Sequence, residues 1–185
     1  METKLPPLVC IIMGSDSDAK KVEPAEKTLK DFGIPYLVLV LSAHRTPADI
    51  HKWAQDARAD GLKVIIAAAG GAAHLPGVIA AWSTLPVIGL PISSPLMGGL
   101  DSLLSIVQMP SGIPVATVAI DAAKNAALLA IEILSVGNDE DSANLYSQLV
   151  TFRARQSAEV TRKCEEMSQL GIAGYLAKFP SVPKS

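Results

Sequence analysis

Five short apolar runs punctuate the chain: Leu8–Met13, Tyr36–Leu41, Lys63–Ala67, Pro86–Leu90 and Ile113–Ala119. Each is continuous rather than alternating, the pattern of strands buried on both faces. Between them lie segments of helical spacing or composition: Asp18–Phe32, Pro47–Ala59, Leu75–Trp82, Leu100–Val107 and Ala122–Leu134. Strand then helix, repeated, gives βαβ units with right-handed crossovers and a parallel sheet. The chain is therefore predicted to be α/β, a three-layer, doubly wound sandwich on five parallel strands, of flavodoxin or Rossmann type. Aromatic residues are only 4% of the chain, so Ala, Val, Ile and Leu must build the core, which suits such a sheet. Local punctuation agrees. Ser17 and Asp18 stand where a helix cap belongs, Gly33 follows Phe32 as a stop, and Thr46-Pro47 places a cap and a first-turn proline.

The C-terminal stretch reads differently. From Asn138 onward the sequence is rich in charge, and Leu145, Leu149, Phe152, Val160, Cys164 and Met167 recur near a 3.6-residue period. That is a long amphipathic helix ending near Gly171, with one apolar stripe to bury. The expected organisation is an α/β domain over 1–137 and a helical extension over 138–185 that packs on the domain or, the favoured reading for a helix longer than a small domain's edge, on a neighbouring subunit. The tail from Phe179 to Ser185, with two prolines, is expected to fray.

Charge and composition exclude several classes. Sixteen Lys and Arg against 18 Asp and Glu give a net charge of −2, without the basic excess a nucleic-acid surface needs. Two cysteines make no disulfide framework, and Cys10, inside an apolar run, reads as a buried inert thiol. Neither a signal peptide nor a run long and apolar enough to span a membrane is read, so a cytoplasmic setting with no membrane partner is expected.

In open α/β sheets ligands bind beyond the carboxyl ends of the strands, and three of those loops are unusual. After the first strand, Gly14-Ser-Asp-Ser-Asp18 leads small hydroxyl residues into a helix N-terminus, a setting that suits phosphate, with a carboxylate for a sugar hydroxyl. After the second, Ser42-Ala-His-Arg-Thr-Pro47 offers His44, which titrates nearest neutral pH, and Arg45, which can hold a phosphate by paired hydrogen bonds. After the third, Gly70-Gly-Ala-Ala-His-Leu-Pro-Gly77 has no large side chain before His74, so backbone N–H groups can line a pocket for a flat ligand. Of three histidines, His44 and His74 lie at this edge, while His51 falls within a helix and is expected to be solvated. Two histidines without a nearby Cys, Asp or Glu cluster make a poor metal site, and no metal is expected. No Gly-x-Ser-x-Gly elbow supports a serine triad.

These motifs, with Asp101-Ser-Leu-Leu-Ser-Ile-Val-Gln-Met-Pro110 in the same order, resemble the N5-carboxyaminoimidazole ribonucleotide mutase (PurE) family of purine biosynthesis, from about Leu8 to Leu134. The resemblance implies an isomerase that shifts a carboxylate from the exocyclic nitrogen of aminoimidazole ribonucleotide to ring carbon 4. It implies that His44 is the single general acid and base, in a decarboxylation followed by recarboxylation with trapped CO2, and that no cofactor is used. By position, Ser15 and Asp18 bind the nucleotide, Arg45 with Ser42 holds the phosphate, and Ala43 between them also binds substrate. Gly70, Gly71, Ala72, His74 and Leu75 then surround the base and the CO2. The family also implies a homo-octamer with the C-terminal helix reaching a neighbour, and a separate ATP-dependent synthetase that makes the carbamate. A related branch that carboxylates with free CO2 carries Ser-Ala-His-Lys and Ala-Gly-Arg-Ser-Asn. Arg45 and Gly71-Ala-Ala-His74 stand instead and favour the mutase. Ala68 departs from a common Gly, and the stretch from Asp121 to Lys124 is shorter than in many relatives. The alternatives are the free-CO2 carboxylase and a non-catalytic nucleotide-binding module.

Overall fold

The structure, a computed structural model, describes residues 6–179. Strands β1 (Val9–Met13), β2 (Tyr36–Val40), β3 (Val64–Gly70), β4 (Val87–Ile92) and β5 (Ala116–Thr117) form one parallel sheet in the order β2-β1-β3-β4-β5. Helices α1 (Ala19–Asp31) and α5 (Ala123–Leu134) pack together on one face. Helices α2 (Pro47–Asp56), α3 (Leu75–Trp82) and α4 (Leu100–Val107) share an apolar core with the other. This is the doubly wound sandwich that the runs predict.

The apolar runs form strands because burying them on both faces removes most of their surface from water. β1 is buried at every position, and β3 at all but its last residue, Gly70. Burial pushes the Cys10 thiol up to about 12, so it stays protonated and inert. Ala68 is wholly buried between Met13 and Leu90, so its methyl packs in the sheet and does not narrow the pocket. In β4 a side chain is excluded at Gly89. A Cβ there would collide with Ile106 Cγ2 and stand 2.9 Å from Val115 Cγ1. Gly89→Ala is expected to cost about 1–3 kcal/mol by overpacking, read as a lower urea midpoint. An unchanged midpoint would mean that α4 can retreat freely from the sheet.

Two strands depart from expectation. β2 is an edge strand, and only one of its faces is covered. Leu37 and Leu39 join the core, but Val38 and Val40 are 42% and 52% exposed. Its run is apolar on both faces, so the sequence alone could not tell which face lies open. The run at Ile113–Ala119 pairs only through Ala116 and Thr117. Pro114 brings no N–H to the ladder, which confines the strand to a short edge piece.

The last helix, α6 (Glu140–Lys178), is broken at Gly171, whose φ of 66° and ψ of 169° are not helical. Helical structure resumes beyond the expected end. The chain divides into two compact units after Leu145. In the second unit Val160, Cys164 and Met167 of the amphipathic stripe are exposed. There Lys178 Nζ lies 3.9 Å from Glu166 Oε1, and the Tyr175 and Phe179 rings meet at 5.0 Å. The expected fraying of the tail concerns residues outside those described, save Phe179.

Candidate active site

The strand order reverses between β1 and β3, where this topology opens a crevice at the carboxyl ends of the strands. A cleft of about 500 Å³ lies there. The loop after β1 gives it Ser15 and Asp18, and the loop after β2 gives Ser42, Ala43, His44 and Arg45. The loop after β3 gives Gly70, Gly71, Ala72, His74 and Leu75. Every residue that the sequence singled out for the site therefore lines one cavity.

The first loop is organised by Ser15 rather than Ser17. Ser15 caps a 3-10 turn, Asp16–Asp18, its Oγ accepting the Ser17 N–H at 3.3 Å and the Ser17 hydroxyl at 2.9 Å. Asp18 precedes α1 but makes no side-chain capping bond, which leaves its carboxylate at the cleft. Burial raises its pKa, opposed by the Ser17 hydroxyl and Lys21 and assisted by Asp121. A carboxyl whose native pKa is raised contributes stability that is fully present below the usual carboxylate range and is lost as pH rises through its native value. Asp18→Asn is therefore expected to be as stable as the parent protein at pH 7 or more so, with the gain vanishing in acid. A thermal melt at the two pH values checks it, and a less stable variant at pH 7 would contradict it.

The second loop is closed by Thr46, which does not cap α2 with its side chain. Thr46 Oγ1 accepts the Ser42 N–H at 3.0 Å and donates to the Ser42 carbonyl at 3.2 Å. Ser42 Oγ accepts from the Arg45 backbone N–H at 3.2 Å and from its Nε at 3.3 Å. Arg45 Nη2 donates to the Gly14 carbonyl at 2.8 Å, tying the first loop to the second. The guanidinium is thus held at the cleft by two of its nitrogens, and Nη1 bonds to no described residue. It can still meet an anion.

The two imidazoles meet across the cleft. His44 Nε2 lies 2.8 Å from His74 Nδ1, with the rings edge to face at 4.9 Å and 72°. One ring must donate and the other accept. The bond therefore survives when one of the two carries an extra proton and is lost when both do. Such a pair can take up or release a single proton at an open, solvent-reachable position.

The third loop is a wall of small side chains. Gly71, with a φ of 64°, adopts the left-handed conformation that glycine tolerates without strain. Two tight bonds follow, Ala73 N–H to Gly71 O and His74 N–H to Ala72 O, both 2.8 Å.

The loop after β4 was missed. Ser93, Ser94 and Pro95 line the cleft, and the strand-end rule that flagged the other loops applied equally to this one. Ser93 is held firmly. Its N–H and hydroxyl donate to the Asp121 carboxylate at 2.8 and 2.5 Å, and Lys21 Nζ donates to its carbonyl and hydroxyl at 2.7 and 2.6 Å. Asp121 does this from a left-handed conformation, φ 55°, which costs a non-glycine residue and fits a position fixed for the sake of a site. His51 corrects another expectation. It is stacked on Trp82 at 3.7 Å rather than solvated, with Nε2 buried and unpartnered. Among the described residues no group of three or more His, Cys, Asp or Glu side chains could hold a metal, and no helix is long and apolar enough to cross a membrane.

Residues 8–159 match the family described as AIR carboxylase. The chain is 52% identical over 172 residues to an N5-carboxyaminoimidazole ribonucleotide mutase of Pyrococcus horikoshii, covering 93% of this chain and 95% of that protein. To the protein of the same name from Thermotoga maritima it is 48% identical over 170 residues, 92% of this chain and 97% of the relative. A phosphoribosylaminoimidazole carboxylase of Saccharomyces cerevisiae is 47% identical over 176 residues, but these are 95% of this chain and only 30% of the yeast protein. The crystal structure of PurE from Treponema denticola is similar with a TM-score of 0.73 at 34% identity, over 89% of this chain and 99% of that one. Fold and cleft together define a doubly wound α/β protein with a ligand cleft at the strand ends, and the named relatives make it an enzyme. The chain belongs to the AIR carboxylase family, the PurE family that its motifs resemble.

Proposed function

We propose that the protein is an isomerase that moves the carboxylate of N5-carboxyaminoimidazole ribonucleotide from the exocyclic nitrogen to ring carbon 4. The names of the archaeal and bacterial relatives support this reading. The observation that carries it is the pair of imidazoles 2.8 Å apart in a cleft that also holds an arginine and a wall of small residues.

His44 is the proton carrier. As an imidazolium it gives its proton to the exocyclic nitrogen while the nitrogen–carbon bond of the carbamate breaks. The bonding pair returns to nitrogen and CO2 is released into the cleft. Ring carbon 4, rich in electrons, attacks the CO2 carbon and forms the new bond. Neutral His44 then takes the carbon-4 proton and ends as it began. All atoms and electrons come from the substrate and one imidazole, so the scheme calls on no cofactor. His74, bonded to His44, keeps that ring oriented as its charge changes and faces the migrating carboxylate. Arg45 and Ser42, beside Ala43, hold the phosphate. Ser15 and Asp18 hold the sugar, whose hydroxyl suits a carboxylate acceptor. The segment from Gly70 to Leu75 encloses the base and retains the CO2.

Residues 1–137 form the catalytic domain on this reading, and 138–185 pack on a neighbouring subunit of a homo-octamer. The exposed apolar side chains Val160 and Met167 support that packing. Light scattering is expected to show an octamer, and a stable monomer would contradict it. The substrate is a labile carbamate, so an ATP-dependent carboxylating synthetase has to supply it, in the cytoplasm. The name of the yeast relative favours a second reading, direct carboxylation of the bare nucleotide by free CO2. The two readings part on which substrate is turned over by the purified protein.

A further inference from the structure

The segment from Asp101 to Pro110 carries part of the family resemblance, yet none of its side chains lines the cleft. It forms α4 and the turn after it, and its first turn grips two walls of the cleft. The Asp101 carboxylate accepts the Ser94 hydroxyl at 3.0 and 2.9 Å. Ser102 is fully buried, at 0% exposure. Its hydroxyl donates to the Ile92 carbonyl at 2.7 Å and accepts the Gly71 N–H at 2.8 Å.

A serine in a helix ordinarily donates to the carbonyl four residues before it. Ser105 does so, to Asp101 O at 2.7 Å, and reaches the Gly71 carbonyl only at 3.4 Å. Ser102 instead spends both its donor and its acceptor on other elements. Pairing between β3 and β4 ends at Gly70 opposite Ile92. Gly71 therefore leaves the sheet with an N–H that no strand satisfies, and Ser102 satisfies it. From Gly71 the chain reaches His74 in three residues through the two tight bonds described above. The direction in which Gly71 leaves the sheet thus sets where the His74 ring stands against His44.

We propose that Ser102 is a positioning residue for the His44–His74 pair, acting through the Gly71 N–H. The effect on turnover rests on the isomerase reading above. The experiment compares the parent protein with Ser102→Ala, Ser102→Cys and Ser105→Ala, reading kcat, KM and the pH profile of kcat for the carbamate substrate. In parallel, histidine ring signals are followed by NMR on ¹³C-histidine-labelled protein without substrate. Ser102→Ala is expected to lower kcat about tenfold or more, since small misplacements of reacting groups are costly, and to shift the pH profile. KM should change little, because the phosphate and sugar contacts sit on other loops. The His44 and His74 signals should move while those of His51 stay. Ser105→Ala removes only the longer bond to the Gly71 carbonyl and leaves the Gly71 N–H held, so it should change these readouts far less than Ser102→Ala, and an equal change would overturn the route through the N–H. Ser102→Cys keeps the volume with weaker hydrogen bonding, so it should fold where Ala fails and show the same changes to a smaller degree. Parental kcat, pH profile and ring signals in a folded Ser102 variant would overturn the proposal, even with a lowered melting temperature. If the parent protein turns over no carbamate, the isomerase reading fails, and the ring signals alone decide the role of Ser102.

Discussion

Replacing His44 by Asn lowers turnover about 10²–10⁴-fold, the usual worth of a positioned general acid and base. Asn keeps a side chain of related shape and polarity but cannot carry the proton. His44 is exposed, and its one described side-chain bond is to His74. The fold should therefore lose no more than about 0.5 kcal/mol, as surface changes usually do. Loss of kcat with binding and melting temperature preserved would place the effect in the chemical step. Turnover left intact would remove His44 from the mechanism and leave a protein that only binds the nucleotide.

Arg45→Ala is expected to act on binding. Loss of a charge-assisted contact to phosphate costs about 1.5–3 kcal/mol, which is roughly tenfold or more in affinity. The substrate KM should rise by that factor, while kcat at saturation falls less. Arg45→Lys should recover only part of the loss. Lysine keeps the charge but cannot hold the Gly14 carbonyl and Ser42 while presenting a planar fork to an anion. An unchanged KM in Arg45→Ala would end the assignment of this residue to the phosphate. The first loop should also loosen in this variant, because Arg45 ties Gly14 to the second loop.

The periodicity of the chain made the sandwich legible because a buried parallel strand and the helix that covers it write opposite patterns. Helices α3 and α4 fall where the composition put them, at Leu75–Trp82 and Leu100–Val107. What stayed illegible was coverage. Nothing within Tyr36–Val40 reveals that Val38 and Val40 face outward at an edge, since edge position is a property of the sheet order. The cleft was legible through residue types that stand out in an apolar chain, His44, Arg45 and His74. The serines after β4 did not stand out, and the grip on Ser93 depends on Asp121 and Lys21, distant residues brought together only by folding. The pairing of His44 with His74, 30 positions apart, is of the same kind. So is the stacking of His51 on Trp82, which a surface-helix reading could not foresee.

The most direct test of the central claim offers purified protein two substrates. One is N5-carboxyaminoimidazole ribonucleotide at low bicarbonate, and the other is aminoimidazole ribonucleotide with CO2. Efficient turnover of the carbamate, with the bare nucleotide used only at high CO2, is the predicted result. Efficient use of the bare nucleotide at modest CO2, with the carbamate left untouched, would contradict the isomerase reading and make the protein a carboxylase. No turnover of either would leave the cleft a nucleotide-binding site without chemistry.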